Sequence, residues 1–304
     1  MKNKNILVTG GCGFIGSNFI PFFIKKYSNY NIINLDLLTY AGDKNNLNEC
    51  NSNPQYKFVN GDIRDRKLLL NIFEEFNIEG VFHFAAESHV DNSISNPDIF
   101  VKTNVNGTFN LLETSFKFWM EKPNLYKDNF RESRFHHIST DEVYGSLEDI
   151  GLFTEKTPYA PNSPYSASKA ASDMFVRSYY ETYGLNTVIT NCSNNYGPKQ
   201  HHEKLIPRII KNALSGKQIP IYGDGKNIRD WLYVEDHCSG IDLVYHQGKA
   251  GDTYNIGGKN EKTNLEIVNS ICSILDKKIP KKSSYKDLIT FVEDRHGHDF
   301  RYAI

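Results

Sequence analysis

Ile6-Leu7-Val8-Thr9-Gly10-Gly11-Cys12-Gly13-Phe14-Ile15-Gly16 is a short β-branched apolar run that breaks into glycines and then opens a helical pattern lasting to about Lys26. Strand, glycine turn and helix in that order form the context in which a glycine loop binds phosphate. Glycines at 10, 13 and 16 let the backbone approach a pyrophosphate, with amide hydrogens aimed at it from the helix N-terminus. A glycine loop alone is a weak signal, so the surrounding chain has to support it.

It does so at the next strand. Asn31-Ile32-Ile33-Asn34-Leu35 ends in Asp36, about 20 residues past the loop, where an acidic side chain would hydrogen-bond the ribose hydroxyls of an adenosine. No arginine stands beside Asp36 to take a 2′-phosphate, which favours NAD over NADP as the cofactor. A third strand, Tyr56-Lys57-Phe58-Val59, leads to Gly61-Asp62-Ile63, and a fourth, Val81-Phe82-His83-Phe84, leads to Ala85-Ala86-Glu87-Ser88-His89. Asp62 is positioned to accept from an adenine amino group, and the small residues at 85 and 86 leave room for a dinucleotide. A helical pattern from about Lys67 to Phe76 completes a βαβ crossover. The expected fold is α/β, a Rossmann-type doubly wound parallel sheet.

Ser139-Thr140-Asp141-Glu142-Val143-Tyr144-Gly145 places two carboxylates where the fifth strand stops, on the side of an open sheet where ligands bind. Downstream, Tyr165-Ser166-Ala167-Ser168-Lys169 reads as helix, which puts Tyr165 and Lys169 on one face. A phenol titrates near a pKa of about 10. A unit charge roughly 4 Å away is worth about 4 kcal/mol at an effective dielectric of 20, so a neighbouring ammonium is expected to bring the phenolate toward neutral pH. Asp98 to about Trp119 reads as one long helix carrying Thr103 and Asn104 past the cleft, packed against the helix of Tyr165. Thr187-Val188-Ile189-Thr190 reads as a sixth strand, and Asp252 to Gly258 as a return to the sheet.

The 304 residues carry a formal net charge of −1, with 39% hydrophobic and 23% charged residues, so a large core is available and no electrostatic case exists for nucleic acid or an anionic membrane as partner. Five scattered cysteines without CxxC spacing suggest neither a disulfide framework nor zinc, and fit a reducing cytoplasm. Met1-Lys2-Asn3-Lys4-Asn5 runs into the first strand without an apolar leader, and no stretch reaches membrane length. The pairs His136-His137 and His201-His202 lack ligand spacing with carboxylates or thiols, so no metal is expected.

Beyond residue 193 the strand-helix alternation weakens. Basic and aromatic patches at 203–207, 220–223, 228–231 and 294–298 suit a diphosphate that carries a flat base. The expected division is a NAD-binding unit over 1–193, its sheet rejoined by 232–258, and a smaller mixed α/β lobe over 194–304 that binds substrate.

Taken together, Ala85 to Asp91, His136 to Gly145, Asn191-Cys192-Ser193-Asn194-Asn195-Tyr196-Gly197-Pro198 and Arg229 to His237 resemble the extended short-chain dehydrogenase/reductase family, and within it the nucleotide-sugar 4,6-dehydratases. The resemblance implies that Tyr165 is the base for the sugar 4-hydroxyl, Asp141 the acid and Glu142 a second base, with Thr140 beside them and Lys169 binding the nicotinamide ribose. It implies NAD contacts from Gly10, Gly13, Phe14, Ile15, Gly16, Asp36, Leu37, Leu38, Thr39, Asp62, Ile63, Phe84, Ala85, Ala86, Thr103 and Asn195. Nucleotide-sugar contacts are implied for Ser88, Thr140, Asn194, Lys204, Leu205, Pro220, Ile221, Tyr222, Arg229, Asn264, Asp294, Arg295, His296, Gly297 and His298. The implied reaction is dehydration of a nucleoside-diphosphate glucose, dTDP-glucose foremost, to the 4-keto-6-deoxy sugar, by a homodimer.

Three departures from the family pattern stand out. Leu37 occupies a position that is often basic, His296 one that is often proline, and relatives continue some dozens of residues past Ile304, which leaves apolar surface of the second lobe uncovered. Two alternatives stay open: a nucleotide-sugar 4-epimerase or decarboxylase of the same fold, and a catalytically silent NAD-binding protein. The paired acids favour dehydration, because the alternatives have no C6 leaving group to protonate.

Overall fold

The computed structural model describes residues 3–294 and 297–304. Among these residues the largest sheet is built from β1 (Lys4–Thr9), β2 (Tyr30–Asp36), β3 (Tyr56–Asn60), β4 (Ile78–His83), β5 (Arg134–Thr140), β6 (Thr187–Cys192) and β7 (Thr253–Ile256). Its order is β7-β6-β5-β4-β1-β2-β3 and every pairing is parallel. Strand order reverses at β1, which pairs with β2 on one side and β4 on the other, so a crevice opens beyond their carboxyl ends.

Side-chain alternation divides the core between the two faces of this sheet. Ile6 and Val8 face one way, with Phe19, Phe23 and Phe82, under α1 (Phe14–Lys26). Leu7 and Val81 face the other way, with Phe73, Leu111, Trp119, Phe135 and Val176. That second face is covered by α2 (Arg66–Phe76), α3 (Thr108–Trp119) and α4 (Pro164–Tyr183).

The long helix expected from Asp98 to Trp119 is not uniform. Pro97–Phe100 is α-helical, Val101–Gly107 widens into π turns, and regular helix resumes at Thr108. Asn104 lies within the widened segment. Its amide is turned inward, accepting from the Glu87 N–H at 2.8 Å and donating to the Glu87 carbonyl at 3.0 Å and to Ser168 Oγ at 2.8 Å. Such π turns concentrate at functional sites.

Past residue 193 more regular structure forms than the irregular sequence suggests. Asn194–Tyr196, Ile228–Tyr233, Glu261–Thr263 and Arg301–Tyr302 make a four-stranded mixed sheet. Ile219–Tyr222 pairs in parallel with Ile289–Val292. These strands pack with α5 (Leu205–Leu214) and, after α6 (Val234–Gln247) has returned to the large sheet, α7 (Asn264–Lys278), around Ile209, Ile219, Ile221, Val268 and Cys272. Leu147 and Phe153 N–H groups donate to the Arg301 and Ala303 carbonyls, both at 2.9 Å, so the last residues are sewn to the loop that follows β5. On the outside of this lobe Leu214, Ile274, Ile279 and Phe291 are each at least 50% exposed.

Candidate active site

The crevice is a cleft of about 340 Å³ running across the ends of β1, β2, β4, β5 and β6. Of the sequence-expected cofactor residues only Leu38 stays out of its lining. The Leu38 side chain packs into the core under α1, while its N–H holds Asp36 Oδ1 at 2.8 Å. Asp36 Oδ2 accepts from the Cys12 N–H at 2.8 Å, which fixes the carboxylate at the lip of the cleft. Burial raises its pKa and these two amides work against that rise.

Gly10 has φ +72°, and a Cβ there would lie 2.6 Å from the Ala85 backbone. At Gly16 an added Cβ would meet the Gly10 carbonyl at 2.6 Å. Side chains at these positions would fill the cradle. Gly13 caps α1 without a side-chain bond, so the amides of its first turn keep their donors for a ligand. Buried Asn195 Oδ1, Gln200 Oε1 and Ser193 Oγ along the same wall have no hydrogen-bond partner among the described residues. A glycine cradle, a carboxylate at the ribose position and unspent polar atoms together fit a dinucleotide.

Asp62 lines the adenine end, but its carboxylate is gripped by Arg64, whose Nε lies at 2.8 Å and Nη2 at 2.6 Å. The sequence reading missed Arg64, since a residue two positions on in a loop has no periodic signature.

At the other end, β5 delivers Thr140, and a tight turn over Asp141–Tyr144 follows. The Thr140 hydroxyl accepts from the Glu142 N–H at 3.3 Å, reaches Asp141 Oδ1 at 3.4 Å and hydrogen-bonds the Tyr165 phenol. Asp141 is 1% exposed, and its Oδ2 has no partner among the described residues. Burial, followed by the charge of Glu142, pushes the Asp141 carboxyl well above the usual carboxylate range, with Arg229 pulling the other way. A carboxylic acid that stays protonated beside a neighbouring carboxyl is what a proton donor requires.

Helix α4 starts at Pro164, pre-set for a first helical position, behind a reciprocal capping box between Ser163 and Ser166. Tyr165 and Lys169 then face the cleft one turn apart. The expected acidification of Tyr165 by Lys169 is not what the structure contains. Burial, then Glu142, raises the phenol well above its ordinary value. Lys169 Nζ is turned toward the strand instead, donating to the Ile138 carbonyl at 2.8 Å and lying 3.3 Å from His137 Nε2.

Among the expected substrate residues, Ser88, Thr140, Asn194 and Lys204 line the cleft, and Lys204 Nζ donates to the Ser88 carbonyl at 2.9 Å. Leu205 and Ile221 belong to the core of the smaller lobe, with Pro220 and Tyr222 beside Ile221 on one strand. Arg229 stacks on Tyr302 at 4.3 Å and donates to the Asp299 carbonyl at 2.9 Å. Asp294 holds His298 Nδ1 at 2.6 Å, the Tyr222 ring stands 6.3 Å from the His298 ring, Gly297 precedes it with φ +65°, and Asn264 begins α7. None of these nine residues lines the cleft itself. Arg295 and His296 lie outside the described residues.

A dinucleotide cleft that ends in a tyrosine, a lysine and two adjacent acids, with a second lobe beside it, defines a nucleotide-sugar-modifying enzyme of the short-chain dehydrogenase type. Comparison with known proteins narrows that class. The chain belongs to the GDP-mannose 4,6 dehydratase family, whose model matches residues 7–304. The dTDP-glucose 4,6-dehydratase of Neisseria gonorrhoeae is 54% identical over 306 residues, covering 99% of this chain and 87% of the relative. A dTDP-glucose 4,6-dehydratase of Streptomyces venezuelae, solved with NAD and dTDP, superposes with a TM-score of 0.88 at 45% identity, covering 99% of this chain and 88% of that one. The Bacillus anthracis dTDP-glucose 4,6-dehydratase in complex with NAD gives 0.86 at 49% identity, covering 99% and 87%.

Proposed function

We propose that this protein is an NAD-dependent dehydratase that converts dTDP-glucose to the 4-keto-6-deoxy sugar. The observation that carries the reading is the convergence of Tyr165, Asp141 and Glu142 on one wall of the cleft that fits the dinucleotide. The identities of 45–54% to dTDP-glucose 4,6-dehydratases support it.

Bound NAD would supply the hydride acceptor for oxidation at C4 and, once reduced, the hydride donor for C6. Gly10, Gly16 and the first turn of α1 would hold its pyrophosphate and Asp36 a ribose. The Tyr165 phenol, raised by burial and Glu142 in the empty cleft, would be lowered by the positive ring of bound NAD and the Lys169 ammonium, and as phenolate it would take the proton of the 4-hydroxyl. A ketone at C4 makes the C5 hydrogen acidic, and Glu142 removes it. Asp141, kept protonated by burial, gives its proton to the departing C6 hydroxyl, and water leaves. C5 is then reprotonated, with no net redox. Thr140 links these groups, since its hydroxyl reaches the Asp141 carboxyl and the Tyr165 phenol and accepts from the backbone N–H of Glu142.

Arg229, Tyr222, Asp294, Gly297 and His298 would hold the nucleoside diphosphate from the second lobe, with Ser88, Asn194 and Lys204 on the side of the cleft. The five cysteines are all free and buried, which fits a reducing cytoplasm, and no helix among the described residues is long and apolar enough to cross a membrane. Half-exposed Val101 and Met174 on the paired helical layers support a homodimer through that face, which light scattering tests.

Product mass tests the function. Purified protein supplied with NAD and dTDP-glucose or UDP-glucose is expected to yield a product lighter by one water from the thymidine sugar. A product of unchanged mass would instead indicate an epimerase.

A further inference from the structure

Behind the cleft, α4 carries a second ionisable residue one turn past Lys169. Asp173 is 1% exposed, and nothing in the proposed reaction uses it. Ser139 Oγ donates to its Oδ2 at 2.9 Å, and the Tyr159 phenol hydrogen-bonds the same carboxyl. Asp173 Oδ1 lies 3.1 Å from His137 Nε2. That same ring nitrogen is the atom found 3.3 Å from Lys169 Nζ. Amine and carboxylate therefore lie on either side of one buried imidazole nitrogen, with Asp173 Oδ1 making no hydrogen bond among the described residues.

A buried ammonium is costly unless an opposite charge accompanies it. The groups that face Lys169 are His83 on β4, His137 on β5, Cys192 on β6, and Tyr165 and Asp173 on its own helix. Ser139, Tyr144 and Tyr159 face Asp173 in turn. His83 and His137 are held neutral by burial, and burial pushes the Cys192 thiol up to about 12. Asp173 is then the one member of this set able to supply a counter-charge at neutral pH.

A neutral Nε2 can accept from Lys169 but cannot at the same time donate to Asp173. The carboxylate must find its donors elsewhere, and Ser139 and Tyr159 are those donors. Burial lowers Lys169 to about 8, with Asp173 pulling it back up, while burial brings Asp173 to about 7 against the pull of Lys169. Each ion keeps its partner charged.

We propose that Asp173 is a positioning residue that, across His137 and braced by Ser139 and Tyr159, keeps Lys169 an ammonium at the cleft. The proposal rests on the reading that Lys169 serves the nicotinamide end of the site.

Its test reads the lysine directly. Full-length protein labelled with ¹³Cε-lysine is titrated by NMR, Lys169→Met assigning the resonance, in the wild type, Asp173→Asn and Ser139→Ala. Loss of the carboxylate is expected to lower the Lys169 midpoint by about one pH unit or more, a tenfold change in proton affinity. Ser139→Ala is expected to shift it the same way by less, and decides the matter if Asp173→Asn does not fold. An unchanged midpoint overturns the proposal.

The pH profile of kcat with dTDP-glucose supplies the link to function. Its alkaline limb is expected to move to lower pH in both variants, whereas a uniform drop with unmoved limbs would mean a merely structural role and overturn that link. Absence of turnover in the wild type would count against the proposed function alone, because the midpoint still decides the charge claim.

Discussion

Asp141 and Glu142 carry the same functional group in adjacent positions, and their surroundings separate them. Asp141 is sealed beneath Thr140 with its acidity suppressed, while Glu142 is only part-buried beside it. A pair in which one member gives a proton and the other takes one needs such an asymmetry. Glu142→Gln is expected to leave C4 oxidation in place and to slow loss of water by about 10²–10⁴-fold. Reduced-nicotinamide absorbance on adding substrate, read beside product mass, checks this, and normal turnover would remove Glu142 from the mechanism. Tyr165→Phe is expected to suppress the absorbance change itself by a similar factor. The glycines, Asp36, the acid pair and the Tyr165-Lys169 spacing were legible in the sequence because each is set by local backbone. The direction in which Lys169 points was not. It depends on Ile138 and His137, some 30 residues away, as the grip of Arg64 on Asp62 depends on side-chain conformers.

Between β4 and α4, the π-turn segment does mechanical work that its sequence hides. Asn104 ties the backbone at Glu87 to Ser168, and the Ser172 hydroxyl donates to the Asn104 carbonyl at 2.7 Å. The loop carrying Ala85 and Ala86 is thereby locked to the helix of Tyr165 and Lys169. Asn104→Ala leaves buried groups unpaired and is expected to cost about 1–3 kcal/mol in denaturant unfolding, with kcat falling more than KM rises. An unfolding midpoint equal to the wild type would contradict this linking role. At the glycine turn, Gly10→Ala combines a strained φ with a Cβ 2.6 Å from backbone, so loss of NAD binding by calorimetry is expected. Strands and helices of the large sheet were legible through long apolar runs with turn signals between them. Ile219–Tyr222 was not, being four residues long and paired with Ile289–Val292, a partner that lies far along the chain.

On the scale of the whole molecule, the large sheet and the helix α6 packed on it bury four imidazoles among the described residues. His83, His136, His137 and His237 are fully enclosed and held below the ordinary histidine range by burial. Their stabilising effect is present above the unfolded value of about 6.5 and is lost as pH falls beneath it, because the unfolded chain binds those protons first. Asp141 and Asp173, whose acidity is suppressed, work in the opposite sense over the same window. With the buried imidazoles outnumbering the buried acids in this set, stability is expected to fall as pH drops below about 6.5. Thermal melts of the unliganded protein at a series of pH values check it, and a flat Tm from pH ~7.5 to ~5.5 would contradict it.

The claim beneath all of this is that one cleft moves a hydrogen from C4 to C6 of a single hexose while Asp141 and Glu142 expel water between the two transfers. The most direct measurement supplies dTDP-glucose deuterated at C4 and locates the label in the product by NMR. The account requires deuterium at C6 of a 4-keto-6-deoxy sugar. Deuterium retained at C4, or a product that keeps its C6 hydroxyl, would contradict it.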